Sequence, residues 1–281
     1  MTAIKVSERL ERKICKTGRP VVTLETASLI HGLPHPENLE FSIRLQKIIE
    51  EEGALAACVG VYEGEPKVGL TDEELEVLAS KENTARINRC NLASAVARSR
   101  SGGAAADAAA FIAESAGFDF LVTGRNGVMS DTFESDQESF PAAVLQELAQ
   151  RPMLMIFSGF QPSSDAAQNY VRLKSGGLEV VGFRTDDPSE GECSEENKSL
   201  HNSVNSVQEA AEIFRTQRQL DMQTGMLLIS DFAGDTGKGK SWPGKDGSGE
   251  YPEVDRLLLE KNARLGAALA LAYRRLQVYG D

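Results

Sequence analysis

A chain of 281 residues, 41% hydrophobic and 26% charged, can bury one large core or two small ones, and its net charge of −12 sets it against nucleic-acid backbones and anionic membranes as partners. No stretch approaches the roughly 18 consecutive apolar residues of a membrane span. The opening MTAIKVSERLERK turns polar at once, without the apolar core of a signal peptide, so a cytoplasmic protein with a small-molecule substrate is expected.

Ser7 suits the N-cap of a first helix that ends at Gly18, with Pro20 beyond. Val21–Leu24 reads as a short buried strand delivering Glu25 at its C-terminal end. HGLPHP (31–36) is read as a loop, because Pro34 and Pro36 forbid helix through it. From Pro36, the residues Leu39, Ile43, Ile48 and Ile49 mark a helix closed by Gly53. Ala56–Tyr62 is a second strand, followed by a Glu63-Gly64 turn into Pro66-Lys67-Val68. Thr71 and Glu74 form a capping box for a helix to Ser80. Gly102–Ala116 reads as an alanine-rich helix stopped by Gly117, and strand Phe118–Val122 then ends in Thr123-Gly124. A helix from near Pro141 leads to strand Met153–Phe157, ending in Ser158-Gly159. A helix from about Ser164 leads to strand Leu178–Val181, ended by Gly182. Ser206 and Glu209 make a second capping box before Ala210–Arg218. Met226–Ile229 is the last clear strand, and Ala263–Leu276 the terminal helix.

Strands alternating with helices predict an α/β fold: a mainly parallel sheet covered on both faces. Ligands in such sheets sit beyond the carboxyl ends of the strands, which places Glu25, Thr123, Ser158 and Asp231 near one rim. Residues 185–205 are polar and acidic and read as an exposed excursion or lid; residues 233–251 carry six glycines and one proline and read as a long flexible loop. Too little regular structure follows either segment to make a second core, so 1–281 reads as one domain.

Several motifs carry less than they promise. Gly234 to Ser241 fits the P-loop expression, but Trp242-Pro243-Gly244 follows where a helix must begin to hold phosphate, so a glycine-rich lid is the better reading. His31 and His35 have the spacing of zinc ligands on a helix, but the prolines remove the helix and no third ligand is evident. Cys15, Cys58, Cys90 and Cys193 form no CxxC pair and read as reduced thiols, Cys58 within the core. Glu25 stands open to two readings. A carboxylate at the end of an apolar strand suits proton transfer, and it equally suits a structural acid capping a neighbouring loop.

Taken together, RPVVTLETASLIHGLPHPENLE (19–40), GALAACVGVYEGEPKVGLTDEEL (53–75) and FLVTGRNGVMSDTF (120–133) resemble the pseudouridine-5′-phosphate glycosidases, a family that includes the indigoidine synthase A-like proteins and some C-glycosynthases of biosynthetic pathways. The likeness is strong to about residue 133 and collinear to about Asp231. It implies a three-layer α/β/α fold, a homo-oligomer (usually a trimer), and reversible cleavage of the C–C bond between uracil and ribose 5-phosphate. The implied mechanism opens the sugar through a Schiff base on a lysine. A glutamate and a second lysine move protons, and a manganese ion sits near the phosphate. Glu25 falls on the family glutamate and Thr123-Gly124 on its glycine-rich loop; Asn262 is carried among the substrate-binding candidates.

Other positions depart from that pattern. Arg86 stands where the Schiff-base lysine belongs, and an arginine stays protonated and is no amine nucleophile. Gln161 takes the place of the second lysine, Met129 that of a histidine, and Ala104-Ala105-Ala106 that of a threonine pair. The metal aspartate maps to Glu138 counting from Phe133, or to Val144 counting back from Leu145. The asparagine after the late strand becomes Asp231. Lys81, five residues before Arg86, could substitute only with a shifted loop. Three readings follow: an enzyme with a repurposed pocket acting on a C-nucleoside-like or other biosynthetic substrate without a lysine imine, a catalytically dead binding or regulatory paralogue, and a glycosidase that keeps the native reaction with other residues. In the first, Glu25 is the acid/base, Arg86 holds an anionic or carbonyl oxygen, and Gln161 and Asp231 orient the substrate.

Overall fold

The computed structural model describes residues 4–81, 84–124, 145–159, 173–185, 202–230 and 253–280. Their strands are β1 (Lys5–Val6), β2 (Val21–Glu25), β3 (Leu55–Tyr62), β4 (Glu65–Val68), β5 (Ala85–Ile87), β6 (Gly102–Ala104), β7 (Phe120–Val122), β8 (Leu154–Phe157), β9 (Glu179–Phe183), β10 (Asn202–Val204) and β11 (Met226–Ser230). The helices used below are α1 (Glu8–Thr17), α2 (Ala27–His31), α3 (Glu37–Glu51), α4 (Asp72–Ser80), α5 (Leu92–Ala97), α6 (Ala106–Ser115), α7 (Val207–Gln219) and α8 (Glu253–Tyr279).

The eleven strands join one sheet in the order β1-β4-β3-β2-β7-β8-β11-β9-β10, with β6 paired to β3 and β5 to β6. Pairing is parallel throughout, except where the Glu63-Gly64 turn folds β4 back on β3 and where β6 meets β3. Buried on both faces, the central strands are nearly all apolar, and alternate residues feed different layers. Val22, Leu24, Val122, Ile156 and Leu228 pack with Leu45, Phe214 and Tyr273 on the side of α3, α7 and α8. Val21, Leu121, Met155, Phe157 and Leu227 pack with Ala109, Ala113 and Ile112 of α6 on the other side. Cys58 lies wholly within the first layer, and burial pushes its thiol up to about 12, which makes it an inert core residue.

Both capping boxes form, Thr71 with Glu74 and Ser206 with Glu209, and Ser7 caps α1 as its sequence implies. The structure corrects other expectations. Gly102–Ala104 is strand rather than the start of the alanine-rich helix, which begins at Ala106. His31 closes a short helix instead of opening a loop. Gly182 lies inside β9, and the terminal helix starts at Glu253, ten residues earlier than the pattern suggested. Part of the acidic excursion, Asn202–Val204, is a strand paired with β9. The helices expected from Pro141 and Ser164 and the loop 233–251 lie mainly or wholly outside the described residues.

The helix-to-strand correction has a steric cause. A Cβ on Gly103 would lie 2.8 Å from the Ala27 Cα and N, and one on Gly102 only 2.1 Å from the Ala85 carbonyl oxygen. Two consecutive residues without side chains let the β5–β6 ribbon press against the start of α2 and the carboxyl end of β2. Gly103→Ala should therefore destabilise by about 1–3 kcal/mol through overpacking against backbone that cannot move aside. Urea midpoints of the two proteins test this, and an unchanged midpoint would show that the close approach is not required.

Candidate functional site

Register brings the rim together. Thr23 pairs with Leu121 and Leu24 with Val122, so the next step sets Thr123 beside Glu25. Both hydroxyl neighbours hold the carboxylate: Thr123 donates to Oε2, and Ser28, the second residue of α2, donates to Oε1 at 2.6 Å. Glu25 is 2% exposed in its side chain while Arg86, on β5, is 36% exposed, with its Nη2 4.0 Å from Glu25 Oε1. The carboxylate is thus the floor and the guanidinium the solvent side of one small site. The gap exceeds a direct hydrogen bond, so both groups keep capacity for a shared ligand atom.

Arg86 owes its place to packing on both sides of it. Its strand pairs with β6 at Gly103, and the Asn91 side chain donates to its carbonyl at 3.0 Å. The turn that follows is pinned to α6 by the Arg89 amide, which donates to Asp107 at 2.9 Å. Arg89 also pairs with Glu147 at 3.1 Å, and Arg151 joins Glu147 and Glu114 at 2.7 and 2.5 Å. The two guanidinium groups lie against the Phe111 ring at 4.0 and 4.4 Å.

Behind the rim, Asn262 of α8 is fully buried. Its amide donates to the Thr123 carbonyl at 2.9 Å and to Ser158 Oγ at 2.6 Å, and its oxygen accepts from Ser230 Oγ at 2.8 Å. It thereby ties the ends of β7, β8 and β11 together, with both amide hydrogens spent within the protein. Gly124 follows Thr123 and faces the Leu259 side chain of the same helix.

Of the residues singled out in the sequence, Glu25, Arg86 and Thr123 meet in the site, and Ser158 and Asn262 support it from behind. Met129, Gln161, Asp231 and the metal candidate Glu138 lie outside the described residues. Among the described residues no group of three or more His, Cys, Asp or Glu side chains is arranged to hold a metal, and no helix is long and apolar enough to cross a membrane. Sequence reasoning missed Ser28 and Ser230 as partners. The Glu-x-x-Ser spacing from Glu25 to Ser28, a strand end followed by one helical turn, is the signal that could have found the first.

His31 was also undervalued. It keeps exposed surface, yet partial burial and then the positive charge of Arg86 lower its pKa, opposed by a hydrogen bond to the Ala85 carbonyl. The folded protein therefore binds this proton less readily than the unfolded chain, so stability falls as pH drops below about 6.5, with the loss complete below the folded value. His31→Asn should flatten that part of the profile. Urea unfolding at pH 7.5 and 5.5 reads the difference, and equal slopes for the two proteins would refute the lowered pKa of His31.

The fold and site define an α/β protein of the doubly covered parallel-sheet class, with a carboxylate and a guanidinium facing each other at the carboxyl rim. The chain belongs to the indigoidine synthase A like protein family, whose model matches residues 11–237. Similar curated proteins are pseudouridine-5′-phosphate glycosidases: that of Saccharopolyspora erythraea is 34% identical over 78% of this chain and 72% of its own length. That of Thermus thermophilus is 31% identical over 92% and 99%. Among solved structures, an indigoidine synthase A-like protein of Thermotoga maritima matches with a TM-score of 0.75 at 20% identity, over 96% of both chains. The prealnumycin C-glycosynthase AlnA, in complex with ribulose 5-phosphate, matches with a TM-score of 0.79 at 20% identity, over 99% of both chains. These two likenesses bear on the fold.

Proposed function

We propose that this chain is a C-glycosidase- or C-glycosynthase-like enzyme that makes or breaks a bond between a sugar carbon and a ring carbon without a lysine imine. The observation that carries this reading is the Arg86 guanidinium 4.0 Å from the Glu25 carboxylate, the place where the family resemblance calls for an amine nucleophile. A guanidinium cannot form an imine, but it can hold the oxygen of a free carbonyl and stabilise negative charge that develops there. The glycosidase relatives and the ribulose 5-phosphate complex of AlnA support a sugar phosphate as the substrate class.

In the forward direction a ring carbon attacks C1 of the open-chain sugar. The π pair of the carbonyl moves to O1, held by Arg86, and the ring C–H proton passes to Glu25. Glu25 returns that proton to O1 to give a hydroxyl. When a sugar hydroxyl then closes the ring, it gives its own proton to Glu25, which passes it to the C1 hydroxyl so that O1 leaves as water. Cleavage is the reverse. Ser28 and Thr123 fix the carboxylate so that its reach is set before substrate arrives. Gln161 and Asp231 remain the candidates for orienting the ring, and Glu138 the candidate should manganese take part.

Incubation with ribose 5-phosphate and a panel of ring nucleophiles headed by uracil, with and without borohydride, tests the reading. The expected result is a C-linked product, or its cleavage, with no reduced sugar adduct on the protein. A lysine-borne adduct would return the chemistry to the imine route.

A further inference from the structure

We propose that the Glu25–Arg86 pair also enolises open-chain α-hydroxy carbonyl compounds on its own, exchanging the C2 proton and interconverting aldose and ketose with no ring nucleophile present. This rests on the reading of the two side chains as a proton-transfer group and a carbonyl-oxygen holder.

The geometry favours proton removal next to a carbonyl. Standard bond lengths separate a carbonyl oxygen from its α-carbon by about 2.4 Å. A carbonyl oxygen about 2.9 Å from Arg86 Nη2 can then present its α-carbon within about 3–3.5 Å of a carboxylate oxygen that stands 4.0 Å from that nitrogen. Glu25 accepts hydrogen bonds from two hydroxyls, on Ser28 and Thr123, so it is held in one orientation. Among the described residues the Arg86 guanidinium approaches this carboxylate at 4.0 Å, too far for a hydrogen bond, and acts on His31 through its charge alone, so its N–H groups can turn to a ligand oxygen.

The step balances without any redox partner. The C2–H bond breaks and its proton goes to Glu25. The electron pair forms the C1–C2 double bond, while the carbonyl π pair moves to O1 beside Arg86, where protonation gives the enediol. Return of a proton to C2, with loss of the O1 proton, restores the aldose; delivery to C1, with loss of the O2 proton, gives the ketose. A proton that has exchanged with solvent returns as deuterium in heavy water.

The test is ribose 5-phosphate with the full-length protein in D2O, followed by proton NMR and mass spectrometry, with ribulose 5-phosphate as the reverse arm. The expected result is loss of the C2 proton signal and gain of one mass unit, slowed at least 100-fold in Glu25→Gln and in Arg86→Ala while both variants keep the parent unfolding temperature. A third variant, Arg86→Gln, keeps a neutral donor should alanine fail to fold, and is expected to retain a fraction of the rate. Exchange that persists in Glu25→Gln, or that comes with a borohydride-trapped lysine adduct, overturns the proposal. C-linked product without exchange overturns this inference and leaves the proposed function standing. Exchange without C-linked product does the opposite, and the absence of both removes the two together.

Discussion

Asn262→Leu is expected to lower stability by roughly 3 kcal/mol or more, because it strips partners from several buried polar groups at once and each orphaned group costs about 1–3 kcal/mol. The Thr123 carbonyl and Ser158 Oγ lose their donor outright. Ser230 suffers less, since its hydroxyl can fall back on the Phe157 carbonyl at 3.5 Å. For a chain of 281 residues a loss of that size corresponds to a fall in Tm of about 5 °C or more. Asn262→Asp separates the lost donors from lost volume: it is nearly isosteric, removes both amide hydrogens, and brings a carboxylate up to the Thr123 carbonyl, so it should cost at least as much as leucine. Thermal unfolding of the two variants decides the matter. A leucine variant that melts with the parent would mean that Asn262 does not hold β7, β8 and β11 in place. Because Thr123 donates to Glu25, loss of the clamp should also depress activity at permissive temperature.

The second large effect is on turnover. Glu25→Gln preserves the shape of the side chain, and the Ser28 and Thr123 hydroxyls can rotate to suit an amide, so the fold should survive with little change. The amide cannot take and return a proton, and the rate of C-linked product formation should fall by about 10²–10⁴. Binding of ribose 5-phosphate, followed by calorimetry, should move only a few-fold, since Arg86 still meets the carbonyl oxygen. A glutamine variant within threefold of the parent rate would assign Glu25 to the bland alternative, a structural acid that caps a neighbouring loop.

Three ion pairs, Arg44–Glu260, Arg256–Glu37 and Arg264–Glu52, join α3 to α8 at 2.6–2.8 Å along the outer seam of that layer. Most of their side chains are exposed, and such pairs contribute little individually. The inner contacts of the same two helices, Leu45 and Ile49 against Ala267 and Ala270 in the buried cluster, carry the packing that seats Asn262 behind the rim.

Much of the site was legible because local rules produced it. Val21–Leu24 is an apolar run after Pro20, and parallel strands end on one rim. Glu25, Thr123 and Ser158 therefore had to emerge at the same edge once the strands were recognised. The capping boxes at Thr71 and Ser206 likewise lie within four residues and need nothing distant to form. Arg86 was identified from the resemblance at its position, but its distance from Glu25 could not be. It sits on a three-residue strand with no periodic signal, and only the register with Gly103 and the bare surface of Gly102-Gly103 carry it to the carboxylate.

The same division separates the elements that were misread. The alanine-rich stretch has high helix propensity only from Ala104 onward; Gly102 and Gly103 are poor helix formers, and pairing with β3 and β5 keeps these three residues in a ladder until the helix begins at Ala106. Asn262 lies in the middle of a long helix, where nothing in the neighbouring residues distinguishes an amide in water from one sealed against strand ends. The sequence by itself determined a parallel α/β sheet and an acid at its rim, through hydrophobic runs, caps and turns that act within a few residues. Only the tertiary structure decided that a guanidinium faces this acid and that an amide clamps the strand ends behind it, because both are contacts between segments far apart in the chain, the first set by glycine backbone packing and the second by the seating of a long helix on the sheet.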